Sequence, residues 1–256
     1  MVVQLSPRKV GLGLLVVVIA LHVASFAGKV AVYRFGVRPS APIVLTAVDS
    51  EWNVPAWFSS MLLGVIGLLM VLLGSHKARL GERHARSWQS LGAIFVALSM
   101  DEACGFHERL IGPMRELLGA GGIFHFAWVI PGLMFAAVVG LLYLRFLLDL
   151  PKRTRWLFIT AAALYLGGAL GVEMLDGAYA SAYGEENLGY RVLTAIEELL
   201  EMSGAVLLMY ALLDYIGDHR PTAQAKLEVA PAAARGWRSV GRTAAAVAPE
   251  ETSNIR

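Results

Sequence analysis

Six stretches of mostly apolar residues recur along the chain, and each has about the 20 residues that a helix needs to cross a bilayer. They run approximately over 10–32, 56–73, 88–110, 124–147, 156–176 and 192–216. Only 16% of all residues are charged, whereas a soluble domain carries about a quarter. The sequence therefore predicts an all-α fold, a polytopic membrane helical bundle with six transmembrane helices.

The basic residues are distributed unevenly around these stretches. Of the 22 Lys and Arg, 16 lie before the first stretch, after the second, at the end of or after the fourth, and after the sixth. Cytoplasmic loops carry such an excess. This side is therefore predicted to be the cytoplasm, and an even number of helices places both termini there (N-in/C-in). The predicted location is a bacterial-type plasma (inner) membrane, which the chain crosses several times.

The chain divides into two predicted parts. Residues 1–217 form the six-helix transmembrane domain, and residues 218–256 form a cytoplasmic tail rich in Ala, Pro and Arg. The tail lacks a sustained apolar period and is predicted to be disordered. The single cysteine, Cys104, excludes an intramolecular disulfide, so helix packing must stabilise the domain.

The carboxylates gather at the opposite end of the predicted bundle. Of the 20 acids, 13 lie on or near the extracytoplasmic side, and the third, fifth and sixth stretches bring several to one depth. Because an unpaired charge in the hydrocarbon region is expensive, these groups should turn inward and meet. Neighbours three or four residues apart share a helix face. That spacing relates Glu173 to Asp176 and Glu197 to Glu201. Two turns of helix separate Asp101 from Glu108 in the third stretch, so these two acids are also expected to share one helix face.

This cluster of carboxylates and histidines is interpreted first as a site for a divalent metal ion, with Zn, Fe, Mn or Ca as the candidates. The Glu-x-x-His spacing of di-metal helix bundles is absent. Two acids, Glu102 and Glu198, are predicted to be catalytic, because a spare carboxylate can serve as general base. The predicted metal ligands are Asp101, His107, Glu108, His125, Glu173, Asp176, Glu197 and Glu201.

Three functions remain open at this point, so whether the chain is an enzyme is not decided. The first is a membrane metalloenzyme acting on a lipid-like substrate. The second is a proton- or cation-coupled transporter or channel, which would need polar groups at successive depths, whereas they concentrate at one. The third is a scaffold or accessory membrane subunit. Membrane lipids are the expected partners, and nucleic acid is not expected. Whether the chain forms a homo-oligomer is left open by the sequence.

Overall fold

The computed structural model describes residues 6–218, and every regular element in that range is a helix. The all-helical prediction is confirmed. Apart from Asp218, the predicted tail (218–256) lies outside the described residues. A 3-10 turn at Gly122–Phe124 precedes α6, and a π-helical segment at Gly167–Val172 joins α7 to α8. The α-helices are α1 Pro7–Phe35, α2 Ala41–Leu45, α3 Val54–Arg79, α4 Ala85–Cys104, α5 Phe106–Leu118, α6 Val129–Asp149, α7 Lys152–Leu166, α8 Glu173–Tyr183 and α9 Leu188–Asp218.

Five helical segments of the described chain are long and apolar enough to cross a membrane. Large apolar side chains on these helices stand exposed, such as Leu12 (64% exposed) and Leu141 (75%). Exposed apolar surface on this scale is typical of contact with lipid. The chain is therefore a helical membrane protein. The five segments are Pro7–Phe35, Val54–Arg79, Val129–Asp149, Lys152–Tyr183 and Leu188–Asp218.

The third predicted stretch, 88–110, is not a single helix. The backbone breaks at Gly105, where φ is +58°, a conformation that glycine adopts without steric penalty. Across this break, Asp101 accepts a hydrogen bond from the backbone N–H of His107 at 3.0 Å. The expectation that Asp101 and Glu108 share one helix face is therefore wrong, because the two residues lie on different helices.

Helix α4 packs antiparallel against α3 through small residues. A Cβ added at Gly92 would lie 2.6 Å from the carbonyl oxygen of Gly67, and one added at Gly67 would lie 2.7 Å from that of Gly92. Further along the pair, the hydroxyls of Ser60 and Ser99 each donate to the other residue's carbonyl oxygen at 2.7 Å. Small residues and hydroxyls of this kind hold membrane helices together. Helix α4 thus runs beside α3 over several turns.

Aromatic side chains join four helices at one end of the bundle, which we call the basic end because Lys77, Arg79, Arg83 and Arg86 lie in or beside its α3–α4 connection. The ring of Trp88, which is 1% exposed, lies 5.0 Å from that of Phe146, 6.0 Å from that of Phe158 and 5.2 Å from that of Tyr215. These rings come from α4, α6, α7 and α9. Ring pairs in such geometries stabilise a core beyond their area burial.

A buried ion-pair network fixes the opposite, acidic end, which contains the α1–α3 connection, α5 and the α8–α9 connection. Asp49 lies 3.0 Å from Nζ of Lys29 and 2.7 Å from Nη1 of Arg191, and its side chain is only 4% exposed. Burial by itself would raise the pKa of Asp49, but Lys29 and Arg191 outweigh burial and hold that pKa below its ordinary value. The network ties the α1–α3 connection to α1 and α9.

The close approach of α3 and α4 predicts that Gly92→Val lowers the melting temperature of the detergent-purified protein. The added carbons would have to displace the backbone of α3, and overpacking of this kind costs about 1–3 kcal/mol. Gly13→Val is the matched control, because an added Cβ at Gly13 meets nothing within 4 Å. Equal melting temperatures for the two variants would contradict the packing described above.

The ion-pair network predicts that Asp49→Asn lowers the melting temperature, because loss of one partner in a buried pair costs about 3–5 kcal/mol. Since the folded-state pKa of Asp49 is lowered, its stabilising effect is present above the unfolded-state pKa of about 3.9 and is lost as pH falls through the folded-state pKa. Asp49→Asn should therefore flatten part of the decline in melting temperature below about pH 4. Glu186 also lies near Arg191 but is exposed, so Glu186→Gln is the control variant and should change the melting temperature little.

Candidate functional site

A cavity of about 520 Å³ lies among α4, α6, α7 and α9. The cavity is present because α6 packs closely against the other helices only near its two ends. Only Val129, near the start of this helix, and Phe146, near its end, are buried. Its middle part lines the cavity with Phe135, Val139 and Tyr143. The volume falls within the range of about 300–1,000 Å³ that is typical of small-molecule sites.

The lining changes character along the length of the cavity. Toward the basic end it is apolar, and we call this the apolar part. No Asp, Glu, Lys or Arg of the described chain lines that part. The helices contribute Leu91, Phe95, Val139, Phe146, Phe158, Ile159 and Leu208 to it.

Toward the acidic end the cavity is lined by carboxylates, and we call this the acidic part. Its only residue able to carry a positive charge, among those described, is His107; neither Lys nor Arg lines it. The charge of Asp49 is compensated by its ion pairs with Lys29 and Arg191. None of the other lining acids forms an ion pair with a Lys or Arg of the described chain. The lining acids are Asp49, Glu51, Asp101, Glu102, Glu108, Glu173, Glu197, Glu198 and Glu201.

Three carboxylates converge beside this part of the cavity. Oxygen atoms of Glu173, Asp176 and Glu197 all lie within 4.8 Å of one another. Asp176 is 1% exposed and Glu197 is 8% exposed. Neither carboxylate oxygen of Asp176 has a hydrogen-bond partner among the described residues, and the same is true of Oε2 of Glu197. Buried acceptors of this kind require a cation, a proton or a donor. We call these three residues the carboxylate triad.

Local backbone structure brings the carboxylate triad together. The π-helical segment at Gly167–Val172 directly precedes Glu173, and π turns of this kind occur frequently at functional sites. Within that segment, a Cβ added at Gly168 would lie 2.7 Å from the carbonyl oxygen of Glu197, so this glycine allows the two chain segments to approach closely. The result is that Glu173 and Asp176, one turn apart, face Glu197 on α9.

A second group of polar side chains lies on the α4–α5 side. Nδ1 of His107 donates to Asp101 at 2.7 Å, and the imidazole ring lies 4.6 Å from the ring of Trp128. The indole N–H of Trp128 donates in turn to Glu173 at 2.8 Å, which connects this group to the carboxylate triad. Burial opposes a charge on His107, but the hydrogen bond and the charge of Asp101 outweigh burial, so the pKa of His107 lies above its ordinary value.

Glu51 extends the acidic part from the α1–α3 connection. Its Oε2 atom is buried without a hydrogen-bond partner in the described chain and would lie 3.2 Å from a Cβ added at Gly105. Burial, and then the nearby charge of Glu108, raise the pKa of Glu51. Glu51 and Glu108 thus approach the same region of the cavity from two different segments.

The structure distributes the predicted site residues among several environments. Glu173, Asp176 and Glu197 meet in the carboxylate triad, and Asp101 pairs with His107. His125 lies apart, 3.1 Å from the hydroxyl of Ser181 and 3.5 Å from Glu185 at the protein surface, and it does not line the cavity. The predicted residues Glu102, Glu108, Glu198 and Glu201 line the cavity outside the triad.

Sequence reasoning did not identify Glu51, Trp128 or Tyr190 as site residues, although all three line the cavity. Glu51 lies in a connection whose path no helical periodicity predicts. Trp128 has one signal in the sequence, its place near the start of the fourth apolar stretch, but an aromatic residue near the end of a membrane-spanning helix is ordinary. Only the folded chain shows that its N–H meets Glu173.

Comparison with known proteins gives a family but no activity. No curated protein and no solved structure matches the chain. Residues 11–216, which include every residue of the cavity, match a family described as "Domain of unknown function (DUF8692)". Because the match covers far more than half of the chain, the protein belongs to this family.

Proposed function

We propose that this protein is a membrane metalloenzyme that holds a divalent cation at Glu173, Asp176 and Glu197 and acts on a lipid-like substrate in the adjoining cavity. The observation that carries the proposal is the convergence of three largely buried carboxylates within 4.8 Å, with unpartnered oxygens on Asp176 and Glu197. Carboxylates so close together cannot all be ionised without a compensating charge. A divalent cation supplies that charge.

The chemistry of the donor atoms narrows the choice of ion. An all-carboxylate set suits harder cations, so Mn and Ca are favoured over Zn and Fe. Two members of the carboxylate triad, Glu173 and Glu197, also line the cavity, so a cation held there would be accessible to a substrate. Asp176, which does not line the cavity, would serve as the rear ligand.

Hydrolysis is the reaction class that we propose. A bound cation with an open coordination position lowers the pKa of a coordinated water. Glu102 and Glu198, which both line the cavity, are the proposed proton acceptors for that water. Its oxygen would form a bond to the acyl or phosphoryl centre, the bond to the leaving oxygen would break, and the proton would pass to that oxygen.

We further propose a topology for the bundle. Helix α4 runs beside the apolar helix α3 over several turns and is proposed as a sixth transmembrane helix, although Asp101 and Glu102 near its end make it less apolar than the other five. Six crossings, with the Lys- and Arg-rich connections in the cytoplasm, would place both termini there. The acidic part of the cavity would then lie toward the extracytoplasmic side of a bacterial-type inner membrane.

Metal analysis tests the proposed function. The protein is purified in a mild neutral detergent, loaded with Mn or Ca, dialysed, and measured by elemental mass spectrometry. We expect stoichiometric metal in the wild type and its loss in Asp176→Asn, because that variant keeps the shape of the buried side chain but removes its charge.

Two further variants complete this test. Glu116→Gln removes an exposed carboxylate outside the cavity lining and should retain the metal. Glu173→Gln provides a second test of the triad if Asp176→Asn melts at a much lower temperature than the wild type. A loaded wild type without stoichiometric metal, or equal retention by wild type and both triad variants, would overturn the proposal.

A further inference from the structure

We propose that the cavity binds a single-chain amphiphile with a cationic ammonium headgroup, with the headgroup in the acidic part and the alkyl chain in the apolar part. This inference names the substrate class of the proposed enzyme and rests on the proposed function in that respect only. The binding itself follows from the charge, the aromatic lining and the access route of the cavity, each of which is independent of a bound metal.

The charge of the acidic part selects the sign of the headgroup. Even if the carboxylate triad is compensated by a divalent cation, Glu51, Glu102, Glu108, Glu198 and Glu201 still line the cavity without a Lys or Arg beside them in its lining. A protonated His107 only balances its own partner, Asp101. An anionic headgroup would meet carboxylates without a cation to bind it, whereas an ammonium group would stabilise these carboxylates in their ionised form.

Aromatic rings in the same region favour an ammonium group over a metal ion as the second occupant. Phe126, Trp128 and Tyr190 all line the acidic part. Cations bound over ring faces are attracted by the ring quadrupole, and aromatic residues recur in sites for quaternary ammonium ligands. One ring here already meets a cation, since the guanidinium carbon of Arg191 lies 5.7 Å from the centre of Tyr190.

The indole of Trp128 is held in position from both sides. Its N–H donates to Glu173 at 2.8 Å, and its ring lies against that of His107 at 4.6 Å. A ring fixed in this way loses little conformational freedom when a ligand binds. Trp128 is therefore the aromatic residue whose removal should weaken ammonium binding most.

The apolar part and its access route indicate that the ligand carries a chain. A second, fully apolar groove runs between α6 and the π-helical segment, and Ala136, Leu166 and Leu170 line both this groove and the cavity. On the groove, Gly167 and Gly171 present open space, because a Cβ added at either would meet nothing within 4 Å. The groove thus borders the cavity along these three residues, and it is the route that the inference assigns to an alkyl chain entering from the surrounding lipid.

Calorimetric titration of the purified protein in a maltoside detergent tests this inference, with protein-free micelles as the blank. The probes are dodecyltrimethylammonium, dodecyl sulfate with the same chain and the opposite charge, and tetramethylammonium without the chain. We expect saturable binding of dodecyltrimethylammonium, markedly weaker binding of tetramethylammonium, and no saturable binding of dodecyl sulfate. Equal affinities for the two dodecyl compounds, or no saturable binding of dodecyltrimethylammonium, would overturn the inference.

Variants show whether the binding occurs in the acidic part. Loss of a desolvated cation–π contact corresponds to roughly tenfold weaker binding, which we expect for Trp128→Leu. Glu51→Gln combined with Glu108→Gln should weaken binding to a similar extent and covers the case in which Trp128→Leu does not fold. Glu116→Gln, outside the cavity lining, should bind like the wild type, and unchanged affinity in both test variants would contradict the assignment.

The same titration separates this inference from the proposed function. Asp176→Asn is expected to lose the metal but to keep saturable binding of dodecyltrimethylammonium, because Asp176 does not line the cavity. A wild type that holds metal but does not bind the ammonium compound refutes only this inference. A wild type that binds the ammonium compound but never holds metal refutes the metal site, and with it the role of the amphiphile as substrate, but not the binding of the amphiphile.

Discussion

The cost of removing carboxylates from water governs the arrangement of this bundle. A hydrocarbon environment provides neither hydrogen bonds nor counter-charges, so every acid near it must meet a cation, a donor or a polar cavity. Asp49 meets Lys29 and Arg191, and Asp101 meets His107. Glu102 of α4, Glu173 and Asp176 of α8, and Glu197, Glu198 and Glu201 of α9 collect in or beside one cavity, and none of these acids forms an ion pair with a Lys or Arg of the described chain.

Unequal helix packing creates the space in which those acids collect. Glycines bring α3 against α4, and the same residue type brings the α7–α8 segment against α9. Helix α6 lacks such contacts along its middle and is fixed mainly at its ends, by the aromatic cluster around Trp88 and by the region of Trp128. A cavity therefore remains beneath α6, apolar where the helices carry aliphatic residues and acidic where they carry carboxylates.

The candidate site could be predicted from the sequence only in part. The spacing of Glu173 and Asp176 follows from helical periodicity, and their common depth with Glu197 follows from the topology. The same periodicity gives a wrong face for Glu108, because the left-handed turn at Gly105 ends the helix before that residue. His125 has a suitable side chain at a suitable depth, but its partners are Ser181 and Glu185 rather than the cavity.

The sequence by itself determined that the chain is helical and belongs in a membrane, and that its acids and bases separate toward opposite ends. Those properties depend on hydropathy and on residues close together along the chain, which local physics governs. Tertiary structure alone decided which carboxylates meet, that Glu51 joins them, and that Trp128 connects His107 to Glu173. The physical reason is that the rotation and register of each helix depend on small residues packing across segments distant in sequence, such as Gly168 against Glu197.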